Sequence, residues 1–112
     1  MGPVRVPPRA FAQVVGNLLR NAFDASPPQG VVELRATRQG SRLRLEVCDR
    51  GPGMTPDQLA RAREPFFTTK APGTGLGLGL FLADRFAEHL GGSLSLTARE
   101  GGGTRVALEL PV

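Results

Sequence analysis

Apolar residues recur along this chain with two different spacings. Over residues 8–26 and 76–90 they return every three to four positions, the spacing of one face of an α-helix. A capping pattern of Thr55 and Gln58 predicts a further short helix that runs to about Arg63. Apolar and polar residues alternate instead in four segments, which are predicted to be strands: residues 31–38, 42–49, 93–98 and 104–110. The predicted order is helix, two strands, short helix and loop, helix, two strands.

This order predicts an α+β fold, a two-layer α/β sandwich in which a mixed β-sheet is covered on one face by about three helices. The third helix would carry a parallel crossover between the two hairpins. The residues predicted to face the core from the strands are Val32, Leu34, Ala36, Leu43, Leu45, Val47, Leu94, Leu96, Val106, Leu108 and Leu110. Those predicted from the helices are Phe11, Val14, Val15, Leu18, Ala22, Ala25, Leu76, Leu80, Ala83, Ala87 and Leu90.

Composition narrows the class of protein. A chain of 112 residues is predicted to form one domain, and a single cysteine, Cys48, excludes an internal disulfide and a cysteine-based metal site. The net charge is +4, but the arginines are spread along the chain and Tyr and Trp are absent, so nucleic acid is not an expected partner. No apolar run reaches the length of a membrane span, and no segment resembles a signal peptide. A cytoplasmic location without membrane contact is expected.

A glycine-rich stretch, residues 73–79, leads into the third predicted helix with glycine at every second position. Glycine is unfavourable inside a helix, so four of them at its entrance need a reason. Backbone N–H groups without Cβ atoms can approach an anion closely, and a helix N-terminus attracts negative charge. The alternatives are a flexible linker or a tight packing site, but leucine spacers after Thr74 argue against a linker. The stretch predicts a phosphate site, and its spacing fits neither common phosphate-loop motif.

Polar residues form a second stripe on the first predicted helix, through Gln13, Asn17, Asn21 and Asp24. Most polar stripes are simply solvated, but asparagine is a poor helix former. Two asparagines one turn apart are also consistent with amide oxygens that bind Mg²⁺.

A carboxylate, Asp49, falls on the apolar face of the second predicted strand, because Leu45 and Val47 precede it at alternate positions. Burying a carboxylate is costly unless it is paired. It is either a turn residue beside Gly51 or an acceptor for a ligand N–H group.

Five sequence blocks, taken together, resemble the ATP-binding catalytic domain of sensor histidine kinases, in the GHKL superfamily with the Bergerat fold. The branches of closest resemblance are those of nitrogen regulation and redox response. The blocks are Asn17-Leu18-Leu19-Arg20-Asn21-Ala22, Asp49-x-Gly51-x-Gly53, Glu64-Pro65-Phe66-Phe67, Gly73-Thr74-Gly75-Leu76-Gly77-Leu78 and Gly101-x-Gly103-Thr104.

The resemblance implies binding of ATP and Mg²⁺ and transfer of the γ-phosphoryl group to a histidine. It implies catalytic roles for Asn17, Asn21 and Lys70, with Asn21 as the Mg²⁺ ligand and Asp49 as acceptor from the adenine amino group. Residues 54–74 would form a lid over the nucleotide. The other nucleotide-binding residues it implies are Asp24, Gly51, Gly53, Phe67, Thr68, Thr69, Gly73, Thr74, Gly75, Leu76, Gly77, Leu78 and Thr104.

The resemblance also implies partners: a helical domain that carries the phosphoacceptor histidine, normally dimeric and in the same polypeptide, and a response regulator. This chain shows no such helical domain and His89 is not in such a setting, so the chain is expected to be a fragment that does not phosphorylate itself. The full-length protein could still be anchored in a membrane. Ala62 and Arg63 replace the bulky apolar pair usual before Glu64, which predicts loose packing of the lid.

Three alternatives that share the nucleotide site remain open at the level of sequence, and DNA binding by a basic chain is the general alternative to them. ATP-hydrolysing clamps of the same superfamily place a glutamate base one turn before the metal asparagine, whereas Asn17 here cannot accept a proton. A serine kinase of the anti-sigma type has a similar site but usually lacks the Phe-Phe-Thr-Thr-Lys lid. A nucleotide-binding module without turnover would have the same sequence features.

Overall fold

A computed structural model of the chain describes residues 4–67 and 78–112. The elements follow the predicted order: α1 (Pro8–Ala25), β1 (Glu33–Gln39), β2 (Arg42–Cys48), α2 (Pro56–Arg61), α3 (Gly79–His89), β3 (Ser93–Ala98) and β4 (Thr104–Pro111). The predicted beginning of the third helix at Leu76 lies outside the described residues.

Local chemistry sets the ends of the helices. The N–H and side-chain hydroxyl groups of Ser26 both donate to the carbonyl oxygen of Ala22, which ends α1 before two prolines. The predicted capping box of α2 is confirmed, because Gln58 N donates to Thr55 Oγ1 at 3.1 Å and Thr55 N donates to Gln58 Oε1 at 3.0 Å. Gly91, at φ +81°, follows the C-cap of α3.

The four described strands form one sheet in the order β1-β2-β4-β3, and every neighbouring pair is antiparallel. The prediction of a mixed sheet is therefore wrong. As expected, β3 runs in the same direction as β2, but β4 lies between them and pairs with both. The connection from β2 through α3 to β3 therefore skips one position in the sheet, and β4 fills that position.

The core lies between this sheet and a layer formed by α1 and α3, which pack against each other and over β2, β3 and β4. The predicted apolar stripes are confirmed where they meet this layer: Val14, Leu18, Ala22, Leu45, Val47, Ala83, Ala87, Leu94, Leu108 and Leu110 are all buried. Ala25, also predicted for the core, is exposed. Helix α2 has no buried residue, so the helical layer consists mainly of the two longer helices.

Strand β1 departs from its predicted burial. Leu34 lies opposite Val47 and Ala36 opposite Leu45, so both share the core-side face of the sheet, yet both are exposed. The reason is that β1 is an edge strand over which neither α1 nor α3 packs, whereas the other edge strand, β3, is covered by α3. Val32, also predicted to face inward, precedes the strand and is half-buried.

None of the helices within residues 4–67 and 78–112 combines the length and the apolar character that crossing a bilayer requires.

Candidate functional site

A cleft of about 580 Å³ opens between α1, the beginning of α3 and one end of the sheet. Its floor includes apolar side chains of the sheet, Val47, Leu96 and Val106, and its rim carries polar groups of α1. A large, mostly apolar cleft with a few polar groups that converge on it is the usual form of a small-molecule site.

Asp49 is the buried charged group of this cleft, with 6% of its surface exposed. Its Oδ1 atom accepts hydrogen bonds from Gly51 N at 2.9 Å and from Thr104 N at 3.2 Å. Its own N–H donates to the carbonyl oxygen of Thr104 at 3.0 Å. These bonds compensate for the desolvation of one carboxylate oxygen. No described residue donates to Oδ2, which leaves that oxygen as an acceptor for a ligand.

Two glycines bring the backbone around Asp49 together. A Cβ atom on Gly51 would lie 2.2 Å from the carbonyl oxygen of Ala25, at the end of α1. A Cβ atom on Gly103 would lie 2.1 Å from the carbonyl oxygen of Asp49, and Gly103 has φ +99°. Both positions therefore exclude a side chain. The nucleotide contact that the resemblance implied for Gly51 stays a prediction, and the structure shows a packing reason for glycine here, because the end of α1 lies against the turn.

The asparagines of α1 face the beginning of α3. Asn17 and Asn21 are half-buried and line the cleft together with Asp24, which is exposed. A Cβ atom on Gly79, the first residue of α3, would lie 3.2 Å from Asn21 Nδ2 and 3.6 Å from Asn17 Cβ. The first residue of α3 thus lies directly against the amide of Asn21 and the Cβ atom of Asn17. The polar stripe is more than a solvated face, because it forms one wall of the cleft.

The segment after α2 forms another wall. Phe67 lines the cleft, and the guanidinium of Arg61 lies 4.6 Å from its ring centroid. Ala62 is buried, and Arg63 Nη1 donates to the carbonyl oxygen of Leu94 on β3 at 2.7 Å. The prediction of loose packing stays a prediction, because Ala62 is buried here while α2 has no buried residue and Phe66 is 70% exposed. A small residue fits against the cleft, and a long basic side chain binds the segment to the sheet.

The structure brings most of the predicted site residues that it describes to the same cleft. Those that line it are Asn17, Asn21, Asp24, Asp49, Gly53, Phe67, Leu78 and Thr104. Gly51 does not line the cleft but donates to Asp49. Eight predicted residues lie outside the described part of the chain: Thr68, Thr69, Lys70, Gly73, Thr74, Gly75, Leu76 and Gly77.

Several residues of the cleft were not among the predicted site residues: Arg20, Pro52, Met54, Ala62 and Gly79. Gly79 carried a usable signal, because it continues the alternation of glycines into the first residue of α3. Arg20 directly precedes Asn21 and lies outside the stripe of Asn17 and Asn21, so the sequence pattern gave no signal for it.

Comparison with known proteins identifies the family of the chain. Residues 7–112 match the family model described as histidine kinase-, DNA gyrase B- and HSP90-like ATPase. The chain is 38% identical over 109 residues to the sensor histidine kinase ZraS of Escherichia coli strain K12; the match covers 97% of the chain but only 23% of ZraS. The chain therefore spans about a quarter of the length of this relative.

Solved structures agree in fold. The mycobacterial sensor histidine kinase MprB superposes with a TM-score of 0.84 at 30% identity, over 96% of this chain and 74% of that one. Full-length ShkA in complex with AMPPNP superposes with a TM-score of 0.78 at 34% identity, over 91% of this chain and 21% of that one. By sequence and by fold, the chain belongs to the histidine kinase-, DNA gyrase B- and HSP90-like ATPases, as an ATP-binding catalytic domain of the sensor histidine kinase type.

Proposed function

We propose that residues 1–112 form one catalytic domain that binds ATP and Mg²⁺ in the cleft between its layers. The domain donates the γ-phosphoryl group to a histidine on a separate helical domain. The observation that carries the proposal is the arrangement of Asp49, which keeps one carboxylate oxygen bound to two backbone N–H groups and the other available in the cleft. An amino group of adenine is a donor of the kind that this oxygen needs.

Recognition of the base follows from this arrangement. A carboxylate held in one orientation accepts from the 6-amino group of adenine, whereas guanine presents a carbonyl oxygen at that position. Two acceptors that face each other in a buried site reject the wrong nucleotide. Gly53, Met54 and Thr104 line the cleft beside Asp49 and contact the base in this proposal.

The phosphates lie toward α1 and α3. Leu78, the N-cap of α3, makes no side-chain hydrogen bond to the first N–H groups of this helix. An anion at this end is also favoured by the helix dipole. The glycine-rich residues 73–77 and Lys70, outside the described residues, are proposed to contact the phosphates, with Thr68 and Thr69 beside them.

Magnesium is proposed to be held by the side-chain oxygen of Asn21, with Asn17 and Asp24 nearby and phosphate oxygens and water as the other ligands. Within residues 4–67 and 78–112, no three His, Cys, Asp or Glu side chains form a metal cluster. An amide ligand suits this setting, because Mg²⁺ binds through few protein ligands and through the phosphates. The ion would neutralise charge on the transferred group.

The phosphoryl acceptor is a histidine of another domain in this proposal. His89 is exposed at the last residue of α3 and does not line the large cleft. Asn17 occupies the position where a hydrolytic clamp would have a glutamate base, which favours transfer over hydrolysis. A response regulator would receive the phosphoryl group next, and the domain would work in the cytoplasm.

A binding experiment tests the site. Titration with ATP and Mg²⁺ is expected to show at least tenfold weaker binding, as an order-of-magnitude estimate, for Asp49→Asn, because the amide presents a donor to the adenine amino group. Asn21→Ala is expected to lose the enhancement of affinity by Mg²⁺. Asp57→Asn, on the exposed face of α2, is the matched control. Wild-type affinity and metal dependence in both site variants would contradict the assignment.

A second experiment tests the reaction. The chain is mixed with a helical phosphoacceptor domain and ATP labelled in the γ-phosphate. Label that is stable to alkali and labile to acid, as phosphohistidine is, supports the proposal. Label on serine would support a serine kinase, release of free phosphate alone a hydrolytic clamp, and binding without either a nucleotide-binding module.

A further inference from the structure

Arg99, in the turn between β3 and β4, is buried far more deeply than the other arginines that form ion pairs. Its side chain is 9% exposed, whereas those of Arg63 and Arg105 are 43% and 44% exposed. Removing a guanidinium from water is costly unless its donors find acceptors in fixed positions. The burial of Arg99 therefore points to specific partners.

Those partners lie at the end of the sheet that borders the cleft. Arg99 Nη1 donates to the carbonyl oxygen of Asp49 at 2.9 Å, and Nη2 lies 3.5 Å from Glu33 Oε1. The backbone N–H of Arg99 also donates to the carbonyl oxygen of Gly103 at 3.0 Å. Glu33 begins β1, Asp49 follows β2, Gly103 precedes β4 and Arg99 follows β3. The side chain of Arg99 thus joins the ends of β1 and β2 to the end of β3, and its backbone N–H group adds the beginning of β4.

Arg99 completes the set of bonds that fixes Asp49. The N–H group of Asp49 and its Oδ1 atom are both bound to the backbone of Thr104. The carbonyl oxygen of Asp49 belongs to the peptide that leads into the turn, and among the described residues the guanidinium of Arg99 is the group that donates to it. A bond from a charged donor is stronger than a neutral one, so it holds this peptide in one orientation. Gly51, whose N–H group binds Oδ1, lies in the turn that follows this peptide, so the orientation of the peptide also sets where one of the two donors to the carboxylate lies.

We propose that Arg99 is a positioning residue for recognition of the base: by holding the carbonyl group of Asp49, it fixes the direction in which the carboxylate meets the 6-amino group of adenine. The inference depends on the proposed function, because it assigns Asp49 to the adenine. Arg99 itself does not line the cleft, so it acts through Asp49.

The test compares two nucleotides that differ only in this amino group, ATP and purine riboside triphosphate, which has hydrogen at that position. The wild-type chain is expected to bind ATP at least about tenfold more tightly, the effect of one hydrogen bond to a charged acceptor. Arg99→Met is expected to reduce this preference below about threefold, with little change in affinity for purine riboside triphosphate, because a mispositioned carboxylate loses only the bond to the amino group. If Arg99 had only a structural role, Arg99→Met would weaken the binding of both nucleotides to the same extent.

The matched control is Arg105→Met, which removes an arginine at the same end of the sheet whose nearest carboxylate is 4.0 Å away. It is expected to keep the full preference. Arg99→Lys retains the charge but cannot bind two partners with a rigid fork, so an intermediate preference is expected. This variant decides the question if Arg99→Met does not fold, and an unchanged preference in Arg99→Lys would then overturn the proposal.

Different results would contradict the proposed adenine site and the proposed role of Arg99. A wild-type chain that binds both nucleotides equally, with no effect of Asp49→Asn, would remove the proposed adenine site itself. A wild-type preference that Asp49→Asn abolishes and Arg99→Met leaves intact would overturn only the role of Arg99. An equal loss of affinity for both nucleotides in Arg99→Met would also overturn the role of Arg99, because the defect would not then act through Asp49.

Discussion

Gly51 illustrates how a single residue can serve the site without lining it. Its missing side chain lets the last turn of α1 approach the turn after β2, where the carbonyl oxygen of Ala25 occupies the place of a Cβ atom. The same residue donates its N–H group to Asp49. Close packing of backbone and presentation of the carboxylate are thus linked at one position.

Replacement of Gly51 by alanine is expected to lower the free energy of unfolding by about 1–3 kcal/mol, the usual cost of overpacking. The matched control is Gly16→Ala in α1, where a Cβ atom would meet nothing within 4 Å. Alanine there is expected to raise the stability by about 0.5–1 kcal/mol, because alanine loses less backbone freedom in a helix. Urea unfolding of both variants measures the difference. Changes of the same sign would contradict this account of Gly51.

The contribution of Glu33 to the stability of the fold depends on pH. The hydrogen bond and charge of Arg35, and then the charge of Arg99, hold the pKa of the Glu33 carboxyl below its usual value of 4.5. Because the pKa is lower in the folded chain, the contribution of Glu33 to stability is present above pH 4.5 and is lost as the pH falls through the folded value. Glu33→Gln is therefore expected to destabilise the chain at pH 7 and to have no effect once the carboxyl is protonated.

Urea unfolding of wild type and Glu33→Gln at pH 7, 5 and about 3 checks this dependence. Glu100→Gln, in the exposed turn beside Arg99, is the control and is expected to show no such change with pH. A difference between wild type and Glu33→Gln that grows toward acid pH would contradict the prediction.

At the scale of elements, alternation along a strand did not determine burial. Strands β1 and β2 both alternate apolar and polar residues, and their paired positions share a face of the sheet. Only β2 is covered by helices, whereas Leu34 in β1 is 48% exposed. The alternation identifies the face, but whether a helix packs over the strand decides whether that face is buried.

Truncation of one leucine in each setting measures this difference. Leu108→Ala in β4 removes a side chain that is 1% exposed, and is expected to cost about 2–5 kcal/mol. Leu34→Ala is expected to cost less than about 1 kcal/mol, because much of this side chain is already in contact with water. Chemical unfolding of the two variants under the same conditions checks the comparison, and equal losses would show that β1 is covered in solution.

At the scale of the whole molecule, the cleft is made by residues far apart in the chain. Asp49 is bonded to Thr104, 55 positions later, and to Arg99, 50 positions later. The antiparallel arrangement brings these positions to one end of the sheet, and the packing of α3 on α1 sets Gly79 against Asn21. The site is therefore a product of topology, and not of any single motif.

The sequence by itself determined the order of the elements, their approximate ends and the core faces of α1, β2 and β4. These follow from local physics, since capping, glycine and proline positions and hydrophobic period act within a few residues. It also identified Asn17, Asn21 and Asp49 as unusual, because polar groups stood where propensity or burial disfavours them. The assignment of nucleotide contacts to these residues stays a prediction, as does the branch of the kinase family.

Only the tertiary structure decided that β4 lies between β2 and β3, that β1 is exposed and that Arg99 is buried against Asp49. Each depends on which strands become neighbours, and a local pattern carries no information on that choice. Arg99 looks like any solvated turn arginine in the sequence. Its partners exist only after the ends of four strands have met, and for that reason no spacing in the chain could have predicted it.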